Sequence, residues 1–219
     1  MTQQDLVFLF DVDNTLLDND GVQAELGDHL RETYGEDARK RYWDIFEELR
    51  SELGYADYLG ALERYRIEAM HDPRILRMAN WLVEYDFERK LYPESLEAVG
   101  RAWEHGECVI LSDGDAVFQP RKVERSGLWR TFRDNVLIYI HKEEELEDVE
   151  RLFPARHYVL TDDKLRILHA VKKIWRDRVT TVFVRQGHYA LDEKEVAKYP
   201  PADLSIERIG QFEEVLRRF

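Results

Sequence analysis

The sequence predicts an α/β protein, a doubly wound parallel sheet with an α-helical domain inserted after its first strand. Three observations carry that expectation. Short β-type runs recur along the chain. They alternate with helical patterns over most of its length, which implies right-handed βαβ units. One stretch, from about residue 20 to 90, breaks the alternation with helices alone.

In chain order the β-type runs are "LVFLF" at 6–10, "CVILS" at 108–112, "VLIYI" at 136–140, "YVLT" at 158–161 and "TVFV" at 181–184. Each is continuously apolar rather than alternating, as befits strands buried on both faces. The helical stretch follows the first run. Tyr42, Ile45, Phe46 and Leu49 share one helical face there; Tyr58, Leu62, Tyr65 and Ala69 share another; Ile75, Ala79 and Leu82 a third. Beyond it, Leu96, Val99 and Trp103 form a stripe that starts after Pro93 and stops at Gly106. Leu146, Val149 and Phe153 make a further stripe, and Leu168, Val171 and Trp175 another. The expected organisation is an α/β core from 1–18 and 92–219, with a helical cap from 19–91.

Composition bounds the rest. The 219 residues suit one large domain or a domain with an insertion. With 44% hydrophobic and 12% aromatic residues the chain can bury a substantial core. A formal net charge of −13, spread along the chain, repels nucleic acid and anionic lipid, so neither is expected as a partner. An anionic small molecule needs a bound cation to reverse the sign locally. The one cysteine, Cys108, excludes an internal disulfide and sits in the apolar "CVIL", where a buried structural thiol is expected. No signal-peptide pattern or spanning helix is read, so the expected location is cytoplasmic.

Polar residues cluster at the ends of the β-type runs. The first ends in "FDVDNTLLD", with Asp11 and Asp13 two residues apart, a costly pair unless something positive lies between them. The second ends in "LSDGD" at Ser112, the third in "IHKEEE" at Lys142, the fourth in "TDDK" at Asp162 and Asp163. In an open α/β sheet ligands bind beyond the carboxyl ends of the strands, where the helical insertion would roof them. Converging there, the acids would bracket a Mg²⁺, which prefers octahedral oxygen ligands. Ser112 and Lys142 would bind the oxygens of a phosphoryl group.

These residues, in this order, resemble the four motifs of the haloacid dehalogenase-like (HAD) hydrolases, whose core is Rossmann-like. "FDVDNTLLD" looks like the first motif, Asp-x-Asp-x-Thr; Ser112 is similar to the second, Lys142 to the third and "TDDK" to the acidic fourth. The resemblance covers the whole chain and implies a reaction. Asp11 would be the nucleophile that forms an aspartyl-phosphate, and Asp13 the acid that protonates the leaving oxygen and then activates water. It also implies that Asp11 and Asp163 hold the metal through side chains and Asp13 through its backbone carbonyl. Asp162 is then a second ligand or bound through water. Haloacid dehalogenases proper lack an acid at the position of Asp13, because a halide needs no proton on leaving, so Asp13 points to phosphoryl transfer. The expected function is a Mg²⁺-dependent phosphomonoesterase acting on a small phosphorylated metabolite. Alternatives are a phosphomutase or phosphotransferase using the same intermediate, a phospho-accepting receiver-like domain, or a binding protein without turnover.

Some residues invite other readings. Asp11 and Asp13 could form a strand-ending turn, Ser112 could be a turn serine, and Asp162 and Asp163 could cap the helix that follows. Lys142 lies in a charged run and precedes Glu143, where the family motif has proline. Its rival, Lys122 in "QPRKVERSGL", falls in a helical pattern and is expected to point towards solvent. His141 reads as structural. Arg64, Tyr65, Arg66 and His71 of the helical stretch read as helix-face residues rather than substrate contacts.

Overall fold

The computed structural model describes residues 4–70 and 72–219. Six parallel strands form one sheet: β1 (Gln4–Phe10), β2 (Glu107–Asp113), β3 (Val136–Tyr139), β4 (Ala155–Asp162), β5 (Val179–Val184) and β6 (Leu204–Ile206). Their order across the sheet is β3-β2-β1-β4-β5-β6. β1 is central, paired with β2 through Phe8↔Cys108 and with β4 through Phe8↔Val159. All five sequence-predicted strands are present. The sixth, "LSI", is too short and too polar to announce itself as a strand; it forms because Val184 and Ile206 come into register at the sheet edge.

Of the five α-helices between β1 and β2, the first four make up the predicted helical stretch: α1 (Asn19–Tyr34), α2 (Glu36–Leu53), α3 (Tyr58–Glu68) and α4 (Arg74–Glu84). The core helices follow as α5 (Ser95–Ala102), α6 (Phe118–Arg125), α7 (Leu128–Thr131), α8 (Leu146–Leu152), α9 (Leu165–Trp175), α10 (Gly187–Leu191), α11 (Glu193–Val196) and α12 (Glu213–Leu216). None is long and apolar enough to cross a membrane, among the described residues.

Alternate residues of each central strand enter different layers, the period-2 consequence of a pleated strand. Phe8 and Phe10 pack on one face, with Phe212 and the inserted helices; Val7 and Leu9 pack on the other, with Leu168 and Val171 of α9. The predicted face of α2 is buried at Tyr42, Ile45, Phe46 and Leu49. In α3 only Tyr58 and Leu62 of the expected stripe are fully buried, and in α4 Met78 joins Ile75 and Leu82. One stripe shifts. Leu96 is 38% exposed, and α5 instead buries Ser95, Ala98, Val99 and Ala102. The buried Ser95 hydroxyl donates to the Leu16 carbonyl at 2.8 Å, which turns Leu96 outward.

The insertion is tied to the sheet layer at both ends of its excursion. Leu17 bridges Leu91 antiparallel, with Asp18 N donating to Lys90 O at 2.8 Å and Tyr92 N to Leu16 O at 2.9 Å. A run of aromatic contacts joins the layers farther in. Phe46 meets Tyr58 (ring centroids 4.8 Å apart), Tyr58 meets Phe118 of α6 (5.0 Å), and Phe118 meets Phe87 (5.7 Å). Insertion and core thus share one apolar cluster rather than two. The roof over the strand ends is fixed by packing.

Candidate active site

The strand ends converge as the sheet geometry requires. β1 delivers Asp11 straight from the apolar run, and Asp11 N donates to Thr161 O of β4 at 3.0 Å, continuing the ladder. The chain then turns tightly: Thr15, Leu16 and Leu17 all donate backbone N–H groups to Val12 O. This turn carries the Thr15 hydroxyl back to Asp11 Oδ2 at 3.2 Å. β2 supplies Ser112, buried, whose Oγ accepts from Gln119 Nε2 of α6 at 3.0 Å. After β3, Lys142 N is fixed by Asp113 Oδ1 at 2.8 Å, which aims its side chain inward.

The Lys142 ammonium is fully buried. It lies 2.5 Å from Asp11 Oδ1, 2.7 Å from Asp162 Oδ2 and 3.2 Å from Leu111 O. Burial works against its charge, but Asp11, Asp162 and Asp113 outweigh that and hold it well above the ordinary lysine value. Glu143, in the place of the motif's proline, forms an ion pair with Arg166 and makes no contact with the Lys142 ammonium.

Asp11, Asp162 and Asp163 bring carboxylate oxygens within 4.8 Å of one another. Asp163 is fully buried, and neither of its oxygens has a hydrogen-bond partner. Burial, followed by the neighbouring Asp162 and Asp11, pushes its carboxyl well above the usual carboxylate range. An orphaned buried carboxylate is costly in a protein interior. A hard divalent cation with oxygen ligands removes the cost and fits this donor set. Asp162 already has two partners: its Oδ1 accepts from Lys164 N at 2.8 Å in the turn before α9, and its Oδ2 faces Lys142.

Asp13 points away from that cluster, and here the structure corrects the sequence. Lys122 does not face solvent. It is fully buried, and its ammonium lies 2.7 and 2.8 Å from the two oxygens of Asp13 and 2.9 Å from Asn19 Oδ1. Asn19 in turn donates to the Tyr58 hydroxyl at 3.2 Å, which also accepts from Gln23 Nε2 at 2.8 Å. The physical reason is the docking of α6 against the insertion, which turns the Gln119–Lys122 face inward beneath Phe118 and Tyr58. The spacing of Gln119 and Lys122, i and i+3 with Val123 beside them, was the faint signal in the sequence. Asn19 and Tyr58 gave none.

A cavity of about 930 Å³ lies between the insertion and the strand ends. Trp43, Phe46 and Tyr58 line it from the insertion, and Asp13, His141 and Lys164 from the core. His141 has a further constraint, since a side chain at Gly54 would reach within 2.7 Å of its Cε1. Arg64 and Arg66 lie outside the cavity, paired with Glu52 and Glu63. Tyr65 packs against the apolar core, and His71 lies outside the described residues.

A family model for haloacid dehalogenase-like hydrolases matches residues 8–171, from the middle of β1 to within α9. The chain belongs to the haloacid dehalogenase-like hydrolases. A crystal structure assigned to the same group, from Burkholderia xenovorans, is 58% identical, with a TM-score of 0.92 over 96% of this chain and 98% of that one. The magnesium-bound hydrolase YfnB of Bacillus subtilis has a TM-score of 0.65 at 17% identity, over 98% of this chain and 99% of that one. The L-2-haloacid dehalogenase of Xanthobacter autotrophicus, solved with chloropropionic acid covalently bound, has a TM-score of 0.63 at 18% identity, over 96% and 98%. These last two share the fold. No curated protein matches the chain. A fold of this kind does not by itself fix the reaction, so the choice of chemistry rests on the side chains.

Proposed function

We propose that this haloacid dehalogenase-like hydrolase is a Mg²⁺-dependent phosphomonoesterase for a small phosphorylated metabolite, with the helical insertion (about 19–91) as a cap over an α/β core. The observation that carries the reading is Asp163, a buried carboxylate with two unpartnered oxygens beside Asp11. A cation demand of that kind suits a phosphoryl group, which brings negative charge to Asp11. A halide leaving from carbon makes no such demand.

Asp11, Asp163 and the backbone carbonyl of Asp13 would hold the metal, with Asp162 bound directly or through water. When bound, the ion would screen charge between Asp11 and the phosphoryl oxygens. Asp11 would attack phosphorus, and the bond from phosphorus to the leaving oxygen would break. Lys142, already on Asp11 Oδ1, orients that carboxylate and offsets charge on the transferring oxygens with Ser112. Asp13, having taken up a proton from solvent as the anionic substrate binds, would give that proton to the leaving oxygen. Lys122, which donates to both of its oxygens, would then balance the charge left behind. In the second half Asp13 would take a proton from water, which attacks the aspartyl-phosphate, releases phosphate and restores Asp11.

The test is a panel of phosphate esters with Mg²⁺, reading free phosphate, alongside 2-chloropropionate, reading chloride. Phosphate release that EDTA stops and Mg²⁺ restores is the expected result. Chloride release without phosphate release would replace the reading with dehalogenation. Phosphate recovered only in a second phosphorylated product would make the enzyme a mutase or phosphotransferase.

A further inference from the structure

The proposed hydrolysis leaves part of the cavity's charge unused. Lys164 follows Asp163 directly, lines the cavity and is half-buried. Its ammonium lies 5.3 Å from the centre of the Tyr189 ring and has no hydrogen bond or ion pair among the described residues. Arg50 reaches the same ring from α2, its guanidinium carbon 5.7 Å from the ring centre. Its ion pair is a loose, exposed one with Glu47 at 3.5 Å.

Other charges on this wall are engaged. Asp13 is held by Lys122, Asp20 by His188 and Asn14, Glu143 by Arg166, Glu195 by Lys198 and Glu47 loosely by Arg50. Arg39 pairs with Glu36 through Nη1 and keeps a buried Nε without a partner among the described residues. Glu144 is the exposed acid left without an ion pair, and Asp113 accepts the backbone N–H of Lys142. The cations without a firm side-chain partner are therefore Lys164 of the core, whose charge the Asp163, Asp11 and Asp162 carboxylates favour without touching it, and Arg50 of the insertion, loosely paired with Glu47; both meet one aromatic ring.

That ring is held in place. Gly187 has φ of +72°, and a Cβ there would come within 2.4 Å of Asn14 Cβ, so the loop after β5 closes tightly on the first turn of the site. His188 then donates its backbone N–H to Asp20 Oδ2 at 2.7 Å, with its Nδ1 2.7 Å from Oδ1. Tyr189 follows in the chain and presents its ring to both cations. In a protein of net charge −13, two cations without a tight partner facing one cavity form a local exception.

We propose that Lys164 and Arg50 form a second anion subsite beside Tyr189, and that the substrate is a phosphate monoester bearing a second anionic group on a short body. The proposal rests on the reading above, in which the phosphoryl group sits at Asp11. The short body follows from the chain itself, since Lys164 adjoins Asp163 and its ammonium is one side chain away from the phosphoryl site. A ligand of this class would bind both layers at once, to Lys164 of the core and Arg50 of the insertion. A neutral-bodied ester would bind neither cation.

Three esters of one size make the test: n-propyl phosphate, 3-(phosphonooxy)propanoate and propane-1,3-diol bisphosphate. In the native enzyme KM for at least one charged ester should be about tenfold or more below that of propyl phosphate, the scale of one charge-assisted contact. Which of the two gains more identifies the second anion as carboxylate or phosphate. Lys164→Met and Arg50→Met should each remove most of that preference, while Lys164→Arg and Arg50→Lys should keep it. Equal KM values for all three esters in the native enzyme, or a preference that survives both methionine variants, overturns the subsite. Calorimetry with the inert pair 3-phosphonopropanoate and propylphosphonate separates the two proposals. Tighter binding of the carboxylate member, lost in the methionine variants, would keep the subsite even if no ester were hydrolysed. Hydrolysis of all esters with equal KM and equal phosphonate binding would keep the phosphatase and discard the subsite. No turnover and no phosphonate binding would discard both.

Discussion

Asp11 and Asp13 leave β1 two residues apart, yet different parts of the molecule serve them. The Asp11 side is built by strand ends: Lys142 beyond β3, Asp162 and Asp163 at the end of β4, Ser112 on β2. The Asp13 side is built by helices: Lys122 on α6, Asn19 opening α1 and Tyr58 opening α3. Parallel pairing fixes the first set, because the register of β1 with β2 and β4 places those residues at one edge. The second exists only because the insertion docks on α6 through Phe46, Tyr58 and Phe118. Each carboxylate has its own buried lysine, but the sheet supplies one lysine and the insertion's docking the other.

That contrast is open to direct attack. The largest expected effect is on the Asp11 side: Asp11→Asn should leave below about one part in a thousand of the turnover, the scale of a disabled covalent mechanism. The loss should be alike on every ester, and several per cent of residual rate would remove the covalent route. Lys142→Ala should cost roughly a hundredfold in kcat, again whatever the leaving group, by analogy with loss of one oxyanion donor. A loss that varied with the leaving group would move Lys142 to the Asp13 side of the comparison.

Metal should mark the same side. Mg²⁺ at a hundred times its Kd should stabilise the protein by about 2.7 kcal/mol, read as a rise in Tm. Asp163→Asn should remove the rise, and Ca²⁺ should restore activity poorly because it favours higher coordination numbers. An undiminished thermal shift in that variant would show that the ion binds elsewhere.

On the Asp13 side the effect should depend on the leaving group. Lys122→Ala should slow alkyl phosphates about tenfold or more but aryl phosphates only a few fold, since an aryl oxide leaves with little need of a proton. It should also lower stability by about 2 kcal/mol, because Asn19 and Asp13 lose a buried charged donor. Equal losses on both ester classes, in a folded variant, would separate Lys122 from the acid. Asn19→Ala should be smallest, about 1 kcal/mol in stability with the same leaving-group trend, as it removes one neutral link between Lys122 and Tyr58. A larger effect than that of Lys122→Ala would place the insertion, rather than the lysine, in control of Asp13.

How much of this was legible in the chain divides along the same line. The continuous runs at 6–10, 108–112, 136–140, 158–161 and 181–184 stated their strands, because burial on both faces writes itself as uninterrupted apolar sequence. Once the strands were known, the residues just beyond them were known to share an edge, which is why Asp11, Ser112, Lys142, Asp162 and Asp163 could be named together. Strand ends in a parallel sheet are a local property with a global address.

Helix faces have no such address. Periodicity showed that α2, α3 and α4 bury one side each, but not what that side would meet. Lys122, a charged residue in an amphipathic helix, was read as solvent-facing for that reason. Its burial is set by Asp13 and Asn19, which lie 109 and 103 residues away in the chain. Leu96 erred the other way, exposed because Ser95 found a carbonyl on the loop after β1. Lys164 and Arg50 are likewise unremarkable in the sequence and become neighbours of one ring only through folding. The sequence by itself determined five of the six strands and the acid cluster at their ends, since burial on both faces is written residue by residue. The partner of Asp13 and the shape of the cavity were decided only by the tertiary structure, since a helix's polar contacts depend on what docks against it.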